Sequence, residues 1–194
     1  MGTKNKVKFN VSNVHYATVT EGTNGKLTFG TPVPMPGAVS LTLDPKGEPE
    51  VFYADGVEYY VVNNNQGYDG SLEVAMLPEE FRTGILNETT DSNNVLVENC
   101  NSEIGHFALL FEFDGDVNKI RHVLYNCSAA RPSIASQTNT EKKEVKTESL
   151  SIKARPLPTG VVKAKTGDTT KAAAYNSWYT KVYEPTEGNS GSGS

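Results

Sequence analysis

The sequence predicts a mainly β fold, α+β in detail, and three observations carry that reading. First, residues 105–127 hold two runs rich in aromatic and aliphatic side chains, joined through Asp114-Gly115-Asp116. Second, another Asp-Gly pair, Asp55-Gly56, separates two further runs of the same kind. Such pairs favour tight β-hairpins because glycine accepts the positive φ that the turn requires. Third, residues 144–155 alternate, with Leu150, Ile152 and Ala154 on one side and Ser149, Ser151, Lys153 and Arg155 on the other. That period of two marks a half-exposed strand.

The 105–127 hairpin is the centre of the prediction. Phe107, Leu109, Phe111 and Phe113 share one face of its first arm, and Ala108, Leu110 and Glu112 share the other. In the second arm Arg121, Val123 and Tyr125 oppose Ile120, His122 and Leu124. Both faces are apolar enough to be covered, by the chain's own domain or by a neighbouring subunit.

Taken in order, residues 6–20 alternate loosely and predict an N-terminal strand, followed by a turn at 20–25 and a short strand at 26–29. Pro32, Pro34 and Pro36 forbid a helix in 31–37, where an extended, exposed connector is expected. Strands follow at 38–43, 49–54, 57–63 and 71–76. Residues 77–86 predict a short surface helix, with Pro78 in its first turn, Glu79 and Glu80 near its positive end, and Phe81 one turn before Ile85. A polar loop at 87–94 and a short strand from Val95 lead to the central hairpin. The polar stretch 128–143 reads as a loop or arm. An extended piece is expected at 161–165. Asp168 is placed to cap a second helix over 169–183, whose stripe of Ala174, Trp178 and Val182 lies beside Tyr175 and Tyr179. The ring cluster is read as sealing a core rather than as a sugar platform.

The chain has 194 residues, of which 37% are hydrophobic, and a net charge of −5. This fits a single domain over 1–185 with a thin core, followed by a flexible Gly/Ser tail at 186–194 that reads as an appended linker. No apolar run is long enough for a membrane helix and no apolar signal segment opens the chain, which predicts a protein made in the cytoplasm with no membrane partner. The acidic balance argues against sequence-specific nucleic-acid binding. Cys100 and Cys127 are expected to be buried free thiols.

Candidate chemistry fails residue by residue. Asp114, Asp116 and Asn118 start like a calcium loop, but Lys119 and Tyr125 stand where that loop needs glycine and glutamate. His15, His106 and His122 fall on different strands without metal spacing. Glu79 and Glu80 are adjacent on a helix and so point in different directions. No nucleophile elbow, phosphate loop or dinucleotide fingerprint is present. No catalytic, cofactor or metal residue is predicted, and the chain is read as a non-enzyme.

What stands out instead is wording. Tyr53-Ala-Asp-Gly-Val-Glu-Tyr-Tyr60, Gly67-Tyr-Asp-Gly-Ser-Leu-Glu73, Leu77-Pro-Glu-Glu-Phe81, Phe111-Glu-Phe-Asp-Gly-Asp116, Arg121-His-Val-Leu-Tyr-Asn-Cys127, Ala130-Arg-Pro-Ser133 and Tyr175-Asn-Ser-Trp-Tyr179 resemble the major tail protein family of long, flexible-tailed phages of Gram-positive bacteria. The resemblance covers roughly residues 1–185. It implies a β-sandwich with a flanking helix and extended arms, six copies per ring, and rings stacked into a tail tube that conducts DNA without binding it specifically. It also implies a place in the virion and partners in tape-measure and tail terminator proteins. Glu112 is the candidate lumen-facing acid. The competing reading is a secreted immunoglobulin-like or carbohydrate-binding β-module on a cell surface.

Overall fold

Alternation of apolar and polar residues decides which way each strand faces, and the whole sheet is assembled on that rule. The computed structural model describes residues 10–22, 25–62, 64–114, 118–134 and 146–186. Its elements are β1 (Val11–Glu21), β2 (Leu27–Phe29), β3 (Val33–Pro34), β4 (Ala38–Lys46), β5 (Glu50–Ala54), β6 (Val57–Val62), β7 (Gly67–Val74), α1 (Glu79–Gly84), β8 (Thr89–Thr90), β9 (Leu96–Val97), β10 (His106–Phe113), β11 (Arg121–Ala129), β12 (Glu148–Arg155), β13 (Lys163–Lys165) and α2 (Ala172–Asn176).

The fold is mainly β. One antiparallel sheet runs β2-β1-β10-β11-β12-β7-β4, with β13 added beside β11 and β3 beside β1. It curls until β4 approaches β1, so its inner face encloses a core in sandwich fashion. Leu72, Val74, Leu150, Ile152, Phe107 and Leu109 fill that core. Each such side chain stabilises the fold by roughly 1.5–3 kcal/mol on burial. Helix α1 closes the core by inserting Phe81, whose ring meets Tyr16 edge-on at 4.9 Å and Phe107 edge-on at 5.3 Å. Glu148 fixes the helix from outside, accepting from the Leu77 amide and from Arg82 Nη2, both at 2.6 Å.

The central hairpin is β10 and β11, and it is covered on both faces by its own chain. Phe107, Leu109 and Phe111 face the first core; Ala108 and Leu110 join Val123 and Tyr125 in a second, which the C-terminal segment seals with Trp178 and Val182. A bulge between the Phe107–Cys127 and Leu109–Leu124 pairs inserts one residue in β11. It reverses the parity of the strand, so Leu124 and Cys127, three apart, enter the same core.

Several expectations are corrected. The connector 31–37 is extended and mostly exposed as expected, but it is docked: Val33 and Pro34 pair with β1, the Met35 amide donates to Val14 O at 2.8 Å, and the Met35 side chain is buried. Alternating prolines leave the intervening amides free to bond, which lets such a segment dock. The second helix is only Ala172–Asn176, capped at Lys171; the chain then turns through Ser177–Thr180 bonds to deliver Trp178 to the core. Asp168 accepts instead from Asn118 Nδ2 at 2.8 Å. The loop at 87–94 contains β8, which pairs with β9. β10 ends at Phe113 and β11 begins at Arg121, and residues 115–117 of the predicted turn lie outside the described residues. Cys100 is exposed, whereas Cys127 is buried as expected, and both are free. Of the polar stretch 128–143, residues 135–143 lie outside the described residues, as does the start of the N-terminal strand at 6–9.

Candidate functional site

Strands β5 and β6 form a two-stranded sheet of their own, outside the main one. Its turn is built as the sequence requires: Asp55 has φ 53° and Gly56 φ 79°, the paired positive values of a type I′ hairpin. Phe52 lies opposite Tyr60, Val51 opposite Val61 and Tyr53 opposite Glu58, and the register slips at Phe52/Tyr53 so that Tyr59 is the extra, bulged residue. The base is narrow. Gln66 N–H bonds Lys46 O at 2.9 Å, and Gly47, at φ 104°, carries no Cβ because one would sit 1.8 Å from Asn64 O.

The side chains of this hairpin are large, apolar and uncovered among the described residues. Tyr59 is 70% exposed, Tyr60 64%, Tyr53 62% and Phe52 61%, and Val57, Val61 and Val62 are exposed with them. None of these residues belongs to either core cluster. An isolated two-stranded hairpin is marginal in water, and contiguous exposed apolar surface marks a contact site. Charge is concentrated here as well: residues 44–62 contain five acids and one lysine.

A second surface is polar. On the outer side of β4, β7 and β12, cross-strand rows align Ser40, Glu73 and Ser149, then Thr42, Ser71 and Ser151, then Asp44, Asp69 and Lys153. Glu73 accepts from Ser40 Oγ at 3.0 Å and from Thr147 Oγ1; these bonds hold its carboxyl below the usual carboxylate range. Asp69 pairs with Arg155 Nη2 at 2.6 Å.

The chain matches no protein-family model and no curated protein.

The residues singled out from sequence are placed as follows. Glu112 is drawn inward, its carboxylate accepting from Tyr179 Oη at 3.1 Å and lying 3.4 Å from Arg121 Nε, with only 13% of its side chain exposed. Asp114 N–H bonds Asn10 O at 2.9 Å at the end of β10; Gly115 and Asp116 lie outside the described residues. Glu79 and Glu80 are exposed at the start of α1. Trp178 is buried, with its indole N–H donating to His122 O at 3.3 Å. His15 stacks on Tyr179 and His122 on Phe111, and His106 bonds Asn126 Oδ1 at 2.6 Å. Among the described residues no three His, Cys, Asp or Glu side chains are grouped to hold a metal.

Sequence reasoning found the β5–β6 hairpin but missed that it lies outside the main sheet, uncovered among the described residues. A signal was present: Val51-Phe-Tyr and Tyr59-Tyr-Val-Val62 are apolar on both faces, yet they sit among nearly all of the chain's excess negative charge.

Proposed function

We propose that the chain is a structural, self-assembling subunit, the tail tube protein of a long-tailed phage. Copies form rings, six to a ring as the resemblance implies, and the rings stack into a hollow tube that conducts DNA. The observation that carries this reading is the β5–β6 hairpin, whose two apolar faces have no cover among the described residues. Another molecule can supply that cover, and symmetric association supplies it from identical copies. The hydroxyl rows of β4, β7 and β12 suit the lumen better than Glu112, which is committed to Arg121 and Tyr179. A lining of Ser and Thr with mixed charges offers phosphates little to bind. On this reading the protein resides in the virion, is made in the host cytoplasm, and meets tape-measure and terminator proteins at the lumen and tube end.

Light scattering over a concentration series, followed by negative-stain microscopy, tests the proposal. Rings or striated tubes with a central hole are expected from the wild type, and Phe52→Ser/Tyr60→Ser should yield folded monomers. A wild type that stays monomeric at every concentration defeats it. The four exposed hairpin aromatics favour a second reading, a carbohydrate-binding surface module. That reading requires a monomer that binds glycans, and Val57, Val61 and Val62 on the same hairpin give a sugar no hydrogen bonds.

A further inference from the structure

The two ends of the main sheet are finished differently. At one end β2 is three residues long; at the other β4 runs for nine, Ala38–Lys46, and among the described residues only β7 forms a ladder with it. A long strand edge left open is a template for a further strand, and proteins cover such edges.

The course of the chain points to what lies along this edge. β3 pairs antiparallel with β1, Pro34 opposite His15, and the Met35 amide extends the pairing to Val14 O at 2.8 Å. β4 follows directly after Pro36-Gly37 and so runs on past Val11, where β1 begins. Val14 and Met35 are buried together in the first core, with Val11 and Ala38 packed against it. Residues 11–15 and 34–38 wall one cleft, which sets the two segments side by side. Further along β4 come Leu41 and Leu43, which pack on the same core and share a cavity of about 310 Å³ with Phe111 and Phe113. The residues that precede β1 by the same steps are Phe9 and Val7.

We propose that residues 4–9 of the same copy dock antiparallel on the free edge of β4, setting Phe9 beside Leu41 and Val7 beside Leu43. Their pattern suits that edge: Lys4, Lys6 and Lys8 alternate with Asn5, Val7 and Phe9, and residues 1–9 contain no acid. Opposite residues of an antiparallel pair face the same side, so Phe9 and Val7 turn to the core while Lys6 falls opposite the exposed Asp44. Asn10 O already accepts from the Asp114 amide at 2.9 Å, so the chain reaches the edge without a loop. Six extended residues span about 20 Å, enough to cover most of β4. The docked segment occupies the edge on which a strand of a second copy would otherwise pair, and so limits where copies can join. It holds or fails independently of the tail tube reading.

Two measurements test it. In a Cys100→Ser background, Lys8→Cys/Thr42→Cys puts thiols at opposed outward positions, and mild oxidation should link them within one chain at a yield independent of protein concentration. Lys8→Cys/Thr28→Cys, whose second thiol lies beside the far end of β1, should stay reduced. Links between chains that grow with concentration overturn the proposal, because a second copy then holds the edge; absence of any link in the first pair overturns it as well. Hydrogen exchange reads the same contact without new thiols. Removing residues 1–9 should speed exchange of the β4 amides that do not bond β7 by roughly ten-fold, while the amides of β12 keep their protection and show that the sheet is folded. Unaltered exchange along β4 overturns the docking.

Discussion

The guanidinium of Arg121 lies 3.9 Å from the centre of the Tyr175 ring and donates to the carbonyl of the same residue at 2.5 Å. It also packs 4.9 Å from the Tyr179 ring and pairs with Glu112. One side chain at the start of β11 therefore fastens the C-terminal segment that seals the second core. Arg121→Met should destabilise the fold by about 2–4 kcal/mol, because Glu112 is left nearly buried without its cation. Arg121→Lys should fall between, since lysine keeps the charge but not the planar stack. Urea denaturation of both variants checks the order.

Met35 sits in the proline-rich connector and is 1% exposed. Met35→Ala should cost about 2–4 kcal/mol, as expected of a large-to-small change in a packed core. An exposed arm would register almost nothing. Chemical denaturation at constant m-value decides between the two.

The cysteines should behave as different reagents. Burial pushes the Cys127 thiol up to about 12, while Cys100 is exposed. Nucleophilic attack requires thiolate, so a chromogenic disulfide should titrate one thiol in the native protein and the second only on unfolding.

Alkaline pH should unfold the protein through its tyrosines. Burial raises Tyr125, helped by Tyr183 and Glu184; burial also raises Tyr179, helped by Glu112. A folded-state value above the unfolded one means that the contribution is fully present below the ordinary tyrosine value of about 10 and is lost as pH rises through the raised values. Absorbance at the tyrosinate band should therefore rise in two stages, with the later stage coinciding with loss of circular dichroism.

What was legible in the sequence was periodicity and turn chemistry. Leu150, Ile152 and Ala154 face the core as their spacing requires, Asp55-Gly56 makes the expected turn, and both faces of β10 are apolar because both are buried. Long-range geometry was not legible. Pro32, Pro34 and Pro36 look like an arm because proline removes donors, but the pattern cannot reveal that Val14 stands ready to accept from Met35. The β11 bulge shifts the faces of Cys127 and Ala129 without leaving a mark on the residues themselves. Helical spacing in 169–183 is real, yet contact of Trp178 with His122 O is satisfied by a turn instead. Glu112 reads as a strand acid facing out until its cross-strand neighbour Arg121 and Tyr179, remote in sequence, are seen to meet it. Exposure of the β5–β6 hairpin is the same kind of fact: a strand of valines and tyrosines reads alike whether covered or bare.

The narrow base at Gly47 and Asn64 joins the hairpin to a domain whose two cores contain none of its residues. Mutations on Phe52, Tyr59 or Tyr60 therefore leave folding nearly untouched, and mutations in the cores leave the ridge intact. The exposed side chains of the hairpin can therefore vary without first requiring a more stable scaffold, while the sheet beneath them changes slowly.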